Sequence, residues 1–300
     1  MSQWSANLLL LLAGALWGMG FVSQQVAMDS VGPFTFIAFR FAVASLLVLP
    51  FAVRECRIGA GALPSLQGIH WVQFAIIGLC LFGGMATQQI GLLTITVTSS
   101  GFLTGLYVVF TPLLSVALLR KWPHRIVWPA ALLSFAGIFL LSGGDFSTLQ
   151  KGDFLTIISA LFWAIQLVLI AQFVGRSQRP LTLSFVQFAV TSLLAASIAI
   201  VTETVNLPKL QGALFEILYS GIFATGIAFS LQVIGQRYTS APQAAIFLSS
   251  ESLFAALFGA LILSERIGWL GLAGCGLIFS AMLLVELVPE LQKNARKTPA

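Results

Sequence analysis

The 300-residue chain has very little charge: Asp, Glu, Lys and Arg together make up only 8% of its residues. Soluble domains usually carry about 25% charged residues. Hydrophobic residues account for 58% of the chain, and its mean hydropathy is +0.97. This composition excludes an ordinary soluble domain and predicts a protein that lies largely within a membrane.

Residues that bind metals or perform catalysis are also scarce. The chain has three cysteines (Cys56, Cys80 and Cys275) and two histidines (His70 and His124), with no metal-ligand spacing among them. A zinc site, a disulfide framework and a serine hydrolase with its base are therefore not expected. There is also no glycine–lysine phosphate-binding motif, so neither ATP-driven transport nor an enzyme is predicted, and no cofactor is expected.

Apolar segments fill almost the whole chain. A helix needs about 20 residues to cross the hydrocarbon core, which leaves room for about ten spans. We therefore predict an all-α integral membrane protein in which residues 1–300 form a single polytopic domain, with the first helix retained rather than cleaved. The predicted spans cover about 7–28, 34–53, 71–94, 98–119, 127–142, 153–174, 182–202, 212–235, 242–263 and 267–288.

The basic residues between the spans predict the orientation. If the N-terminus is inside, eleven lysines and arginines fall in cytoplasmic connections and three in external ones. The positive-inside rule then places both termini in the cytoplasm. Membrane topology also explains the pI of about 9.5 without a nucleic-acid partner. The cytoplasmic set is Arg54, Arg57, Arg120, Lys121, Arg125, Arg176, Arg179, Arg237, Lys293, Arg296 and Lys297, and the external set is Lys151, Lys209 and Arg266.

The two halves of the chain resemble one another. Phe41-Ala-Val-Ala-Ser-Leu-Leu47 matches Phe188-Ala-Val-Thr-Ser-Leu-Leu194 at an offset of 147, and Trp17 matches Trp163 at an offset of 146. A looser match pairs Thr111 with Glu251. Five spans per copy is an odd number, so the second copy must be inverted, as in many secondary transporters. We predict repeat one at about 7–142, repeat two at about 153–288 and a cytoplasmic tail at 289–300.

Two charged residues lie inside predicted spans. Glu251 is close to the middle of the ninth span, where a carboxylate costs roughly 2.5–3.5 kcal/mol and is expected to face protein or a cavity. Arg40 is the one basic residue well inside a span. It could snorkel to the external surface, pair with Glu251, or bind a substrate carboxylate. Glu251 could likewise be only a buried packing residue.

Uncharged polar and aromatic side chains at mid-depth complete a candidate cavity. Trp17 and Trp163 lie at repeat-related places near the membrane centre, where each could line a cavity or only pack between helices. Glutamines and serines in spans often only bond across helices, which leaves two interpretations open for each. As a group they predict a polar, largely uncharged cavity, with Gln88, Tyr107, Gln166 and Ser250 as further candidate substrate-binding residues.

These features resemble the EamA branch of the drug/metabolite transporter superfamily. The resemblance is carried by ten spans in two repeats, by Ala15-Leu-Trp-Gly18 in the first span and by Leu263-Ser-Glu-Arg266 after the ninth. Family members commonly have Gly-Glu-Arg at the latter place and Glu-Pro where this chain has Glu251-Ser252.

The resemblance implies a secondary transporter of the bacterial inner membrane that exports amino acids or related small metabolites by alternating access. Export of drugs or other cationic compounds is the alternative, and a non-transport membrane protein is a third. Glu251 could carry a proton and couple transport to the proton gradient, whereas facilitated diffusion or exchange would need no proton. The sequence predicts no oligomeric state.

Overall fold

The fold is a bundle of helices, taken from a computed structural model that describes residues 1–58, 65–95, 97–141, 150–262 and 268–295. Every regular element in those ranges is helical. The elements are α1 (Gln3–Met28), α2 (Pro33–Ile58), α3 (Gly68–Gly91), α4 (Val97–Thr104), α5 (Tyr107–Leu119), α6 (Val127–Leu141), α7 (Lys151–Ser177), α8 (Pro180–Thr202), α9 (Leu207–Gly212), α10 (Leu214–Tyr219), a π-helical segment (Ser220–Ile227), α11 (Ala228–Gln236), α12 (Ala241–Leu248), α13 (Glu251–Ile262) and α14 (Trp269–Ala295).

These elements build ten crossings of the bundle. In the described part of the chain, nine helical segments are long and apolar enough to span a membrane. The tenth crossing is the shorter apolar helix α6, which packs along α14. We call the face at which α1 begins the N-terminal face, and the face at which it ends the far face. The predicted all-α membrane architecture is confirmed, with nine spans of full length and one shorter helix in the described part of the chain.

The inverted repeat is visible in where the helices begin. Both α2 and α8 start at a proline, 147 residues apart, and α4 and α12 start 144 residues apart. The same offset of 144 separates the starts of α5 and α13, so Glu251 in repeat two corresponds to Tyr107 in repeat one. The looser sequence match of Glu251 with Thr111 is therefore one helical turn out of register.

The two repeats are joined by matching carboxylate caps on α2 and α8. At the far face, Glu203 accepts hydrogen bonds from the Phe34 and Thr35 amides at 2.9 and 2.8 Å. At the N-terminal face, Glu55 accepts bonds from the Leu181 and Thr182 amides at 3.2 and 2.8 Å.

The hydroxyls of both threonines complete these caps, at 2.6 Å from Thr35 and 2.7 Å from Thr182. The first amides of a helix have no partner inside the helix. Each helix therefore supplies the carboxylate that satisfies the free N-terminus of the other.

A polar cluster lies at the N-terminal face where α1, α12 and α14 meet. The buried carboxylate of Glu286 accepts hydrogen bonds from the side-chain amides of Asn7 and Gln243. Gln3 in turn donates to Gln243 at 2.9 Å. Glu286 was not singled out from the sequence, because it lies near the end of the last predicted span.

Most predicted spans are shorter than the helices observed. Helix α2 continues to Ile58, and α14 continues to Ala295, through much of the predicted tail. Polar helix ends that project beyond the hydrocarbon core carry no hydropathy signal, which explains the difference. The motif Leu263–Arg266 and residues 296–300, with Arg296 and Lys297, lie outside the described residues.

The basic residues predicted to be cytoplasmic fall at one face wherever the structure describes them. Arg54 and Arg57 end α2 at the N-terminal face, and Arg176 and Arg237 lie at the ends of α7 and α11 on the same side. Lys151 begins α7 at the far face.

Candidate functional site

Two of the ten crossings are interrupted near the middle of the bundle. The fourth crossing breaks between α4 and α5, and the ninth breaks between α12 and α13 at Ser249 and Ser250. Ser249 stabilises the break by donating to the Ile246 carbonyl at 2.7 Å, and its oxygen lies 2.8 Å from that of Ser134. Glu251 consequently occupies the first turn of α13, where the positive end of a helix favours a carboxylate.

Glycines bring α1 directly against this break. A Cβ added at Gly18 would lie 2.7 Å from the Ala255 nitrogen and 2.8 Å from the Glu251 carbonyl oxygen. One added at Gly14 would lie 3.2 Å from the Glu251 nitrogen. This close backbone approach brings Trp17 and Glu251 to the same cavity.

The π-helical segment holds two of the predicted site residues. The Trp17 indole donates to the Ala224 carbonyl at 2.8 Å, and Arg40 Nε donates to Thr225 Oγ1 at 2.9 Å. A π-helix shifts the backbone pairing from its usual register, and such segments occur frequently at functional sites. This segment therefore fixes the direction of both an aromatic ring and the buried cation.

Arg40 is 2% exposed, so it does not snorkel to the surface, and that interpretation is wrong. Its guanidinium lies 5.5 and 5.4 Å from the ring centres of Phe36 and Phe41, where cation–π attraction stabilises it. Arg40 Nη1 and Glu251 Oε1 are both buried without a hydrogen-bond partner. Direct pairing of the two through these atoms, one of the alternatives left open by the sequence, is absent, although both side chains line one cavity.

Phe229 is the centre of an aromatic cluster at the cavity wall. Its ring lies 4.7 Å from that of Trp17 and 5.7 Å from that of Trp163, centre to centre. It also contacts Phe41 and Phe188 at 6.3 and 6.2 Å. The two tryptophans, one from each repeat, thus meet across a ring that sequence reasoning did not select.

The cavity between these groups has a volume of about 50 Å³. Small-molecule sites typically measure about 300–1,000 Å³, so this cavity is smaller than a typical ligand site in this conformation. Its wall combines aromatic rings, side-chain amides, one guanidinium and one carboxylate. It is lined by Trp17, Gly20, Phe21, Gln24, Arg40, Met85, Gln88, Thr104, Tyr107, Trp163, Gln166, Leu167, Ala224, Phe229, Gln232, Leu248 and Glu251.

Several polar atoms of this wall are buried without a hydrogen-bond partner. Nearly all buried polar groups in proteins are paired with protein or water, because an unpaired one costs free energy. A group of unpaired atoms around one cavity therefore points to a polar ligand or to water. The atoms are Gln24 Oε1, Arg40 Nη1, Tyr107 Oη, Trp163 Nε1, Gln232 Oε1 and Glu251 Oε1, of which the Tyr107 hydroxyl and the Glu251 carboxylate also interact with each other.

Most of the residues predicted from the sequence meet in this cavity. The exception is Ser250, which packs against Gly14 at the helix break and is not part of the cavity wall. Gln88 reaches the wall with its amide donating to Thr104 at 2.8 Å. The cavity brings together Trp17, Arg40, Gln88, Tyr107, Trp163, Gln166 and Glu251.

The described part of the structure contains no cluster of side chains that could bind a metal ion. Within the ranges that the structure describes, no three His, Cys, Asp or Glu side chains lie together as a metal site would require.

A sequence profile of the EamA-like transporter family matches residues 4–143 and again residues 150–287. The chain belongs to the EamA-like transporter family. The two matches cover nearly all of the chain, one in each half.

Relatives and a solved structure agree with this membership. A protein of Archaeoglobus fulgidus named an uncharacterized transporter is 32% identical over 94% of this chain and 86% of its own length. A Bacillus subtilis protein of the same description is 26% identical over 96% of both chains. One crystal structure matches with a TM-score of 0.77 at 20% identity, covering 95% of this chain and 97% of the other. The last likeness shows the fold, and the family shows that this EamA protein is a membrane transporter.

Proposed function

We propose that this EamA transporter carries amino acids or closely related zwitterionic metabolites through its central cavity. The observation that carries the proposal is the presence of one cation and one anion in the same wall, each with an unpaired buried atom. Arg40 would bind the substrate carboxylate and Glu251 its ammonium group. A zwitterion offers the complementary pair of charges, and no single-charged substrate does.

The remaining wall determines what the substrate side chain meets. Trp17, Trp163 and Phe229 form an apolar aromatic surface beside Glu251, which suits an aromatic or other neutral side chain. Aromatic faces also attract the ammonium group itself. Gln88 and Gln166 can donate to or accept from a bound zwitterion without adding net charge.

The proposed mechanism is alternating access, in which the two repeats rock about the substrate held between them. Glu251 is the group that we propose to carry a proton and so couple transport to the proton gradient. Exchange or facilitated diffusion without protons is the rival. Transport by Glu251→Gln at the wild-type rate and with unchanged pH dependence would exclude the proton-coupled mechanism.

We further propose that the protein lies in the bacterial inner membrane with both termini in the cytoplasm. The support is the concentration of basic residues at the N-terminal face and the positive-inside rule. The outward direction of transport rests on the family resemblance alone.

Export of cationic drugs is a second candidate, favoured by the aromatic rings that surround a single carboxylate. Arg40 counts against it, because a buried guanidinium in the same wall repels a permanent cation. Family membership counts against the third candidate, a membrane protein without a transport function.

The test is exchange by purified protein in proteoliposomes preloaded with unlabelled amino acids, with labelled amino acids outside. We expect saturable exchange for the wild type, and strongly reduced exchange for Arg40→Gln and Glu251→Gln. Arg54→Gln on the same helix and Asp29→Asn change exposed charges of the same type and should exchange normally. Folded protein that exchanges lipophilic cations and no amino acid would contradict the proposal.

A further inference from the structure

Four buried glutamines form a chain of hydrogen bonds that leads from the cavity toward the N-terminal face. We call Gln166, Gln187, Gln232 and Gln236 the amide ladder; each is at most 1% exposed. Gln166 donates to Gln187 at 3.1 Å, and Gln232 donates to both Gln166 and Gln236 at 3.2 Å. Gln236 then donates to the Leu167 carbonyl at 2.9 Å.

Two residues of the ladder correspond, in the second repeat, to polar cavity residues of the first repeat. At the offset of 147 shared by α2 and α8, Gln187 corresponds to Arg40. At the offset of 144 shared by the following helices, Gln232 corresponds to Gln88. In an inverted repeat, exchanging the conformations of the two copies turns a cavity open to one face into a cavity open to the other. Residues of repeat two then take the places that repeat one holds now.

The cavity extends toward the far face in this conformation. It reaches Gln24 and Arg40, which lie within the far-face thirds of α1 and α2. Their repeat counterparts, Ile170 and Gln187, are 0% exposed and lie outside the cavity wall. Gln166 and Gln232 line the cavity, whereas Gln187 and Gln236 lie beyond its wall, so the cavity reaches Arg40 of repeat one but not its counterpart in repeat two.

The ladder also keeps unused hydrogen-bonding capacity. Gln187 Nε2 and Gln232 Oε1 are buried without a partner, although both residues are already held in the chain of amides. A purely structural amide cluster would be expected to satisfy these atoms, because each unpaired one is costly in a buried site.

We propose that the amide ladder is the half of the substrate path used when the N-terminal face opens, and that Gln187 then takes the place of Arg40 against the substrate carboxylate. This rests on the proposed function. A carboxylate therefore meets a guanidinium in the far-face-open state and a neutral amide in the other. Hydrogen bonds to charged groups are roughly twice as strong as neutral ones. The transporter consequently binds amino acids more tightly from the far face.

Sidedness is the property to measure. Proteoliposomes are sorted by orientation with an affinity tag on the N-terminus, and the half-saturating concentration of a transported amino acid is measured from each face. We expect the wild-type value to be about tenfold or more lower at the far face, the size of one charge-assisted contact. Gln187→Leu should raise the value at the N-terminal face severalfold and leave the far-face value unchanged.

The repeat supplies the complementary variant. Arg40→Gln gives both halves the same neutral group, so it should raise the far-face value until the two faces are equal. Arg54→Gln and Gln211→Leu alter exposed residues of the same kinds and serve as controls. If Gln187→Leu folds poorly, Gln187→Asn, which shortens the amide by one methylene, should show the same one-sided effect.

The outcomes separate the two proposals. A wild-type protein that transports no amino acid overturns the proposed function and this inference with it. A wild-type protein that transports amino acids with equal values at both faces, or glutamine variants that change both faces equally, overturns this inference and leaves the proposed function intact.

Discussion

Gly18→Ala should destabilise the protein by forcing α1 away from α13. The added Cβ would lie 2.7 Å from the Ala255 nitrogen and 2.8 Å from both the Glu251 carbonyl oxygen and Phe254 Cβ. Two of these three atoms are backbone and cannot rotate aside. Overpacking of this kind costs about 1–3 kcal/mol. We expect the cost of Gly18→Ala to lie at the upper end of this range. The better helix propensity of alanine offsets about 0.5–1 kcal/mol.

The net loss of about 2 kcal/mol corresponds to a fall in melting temperature of about 4–8 °C. Purified variants in detergent can be compared by thermal unfolding. Gly276→Ala is the matched control, because an added Cβ there meets no atom within 4 Å. It should melt at the wild-type temperature or slightly above it. The reasoning is refuted if Gly18→Ala melts like the wild type, or if both variants fall by the same amount.

Two further predictions follow from the repeat. Glu55→Gln and Glu203→Gln should each destabilise the protein by about 1–2 kcal/mol and lower its melting temperature by similar amounts. The reason is that each carboxylate caps a helix of the other repeat and accepts from two amides and one hydroxyl. A loss of stability in only one of the two variants would contradict the matching caps. Phe229→Met installs the residue that repeat one has at the corresponding place, Met85, so the protein should fold and melt near the wild-type temperature. It should nevertheless bind aromatic amino acids more weakly in competition assays, and unchanged competition by aromatic and aliphatic amino acids would show that Phe229 does not contact the substrate.

The meeting of Trp17 and Trp163 could be predicted because symmetry-related residues near the membrane centre lie close to the axis that relates the repeats. The burial of Glu251 could be predicted from the cost of a charge in the bilayer. The matched caps were also within reach: Pro33-Phe-Thr35 and Pro180-Leu-Thr182 recur at one offset, and each partner glutamate follows at the end of the other helix.

Other features had no such signal. The counterpart of Phe229 in repeat one is a methionine, so comparing the two repeats gave no reason to select Phe229. A single phenylalanine in an apolar span is also common. The π-helical segment depends on backbone pairing that hydropathy does not encode, although Gly221 and Gly226 within it pack closely against α2. The breaks at 105–106 and 249–250 carry no proline at the break itself. The polar run Ser249-Ser250-Glu251 was the only mark of the second one.

The central claim, that the cavity recognises both charges of a zwitterion, is tested most directly by competition with analogues. One transported amino acid is compared with its amine, which lacks the carboxylate, and with its acid, which lacks the ammonium group. We predict that each analogue competes about ten- to a hundredfold more weakly than the amino acid. Arg40→Gln should remove the discrimination against the amine, and Glu251→Gln the discrimination against the acid. An amine that competes as well as the amino acid in the wild type would contradict the account and indicate a carrier of cations.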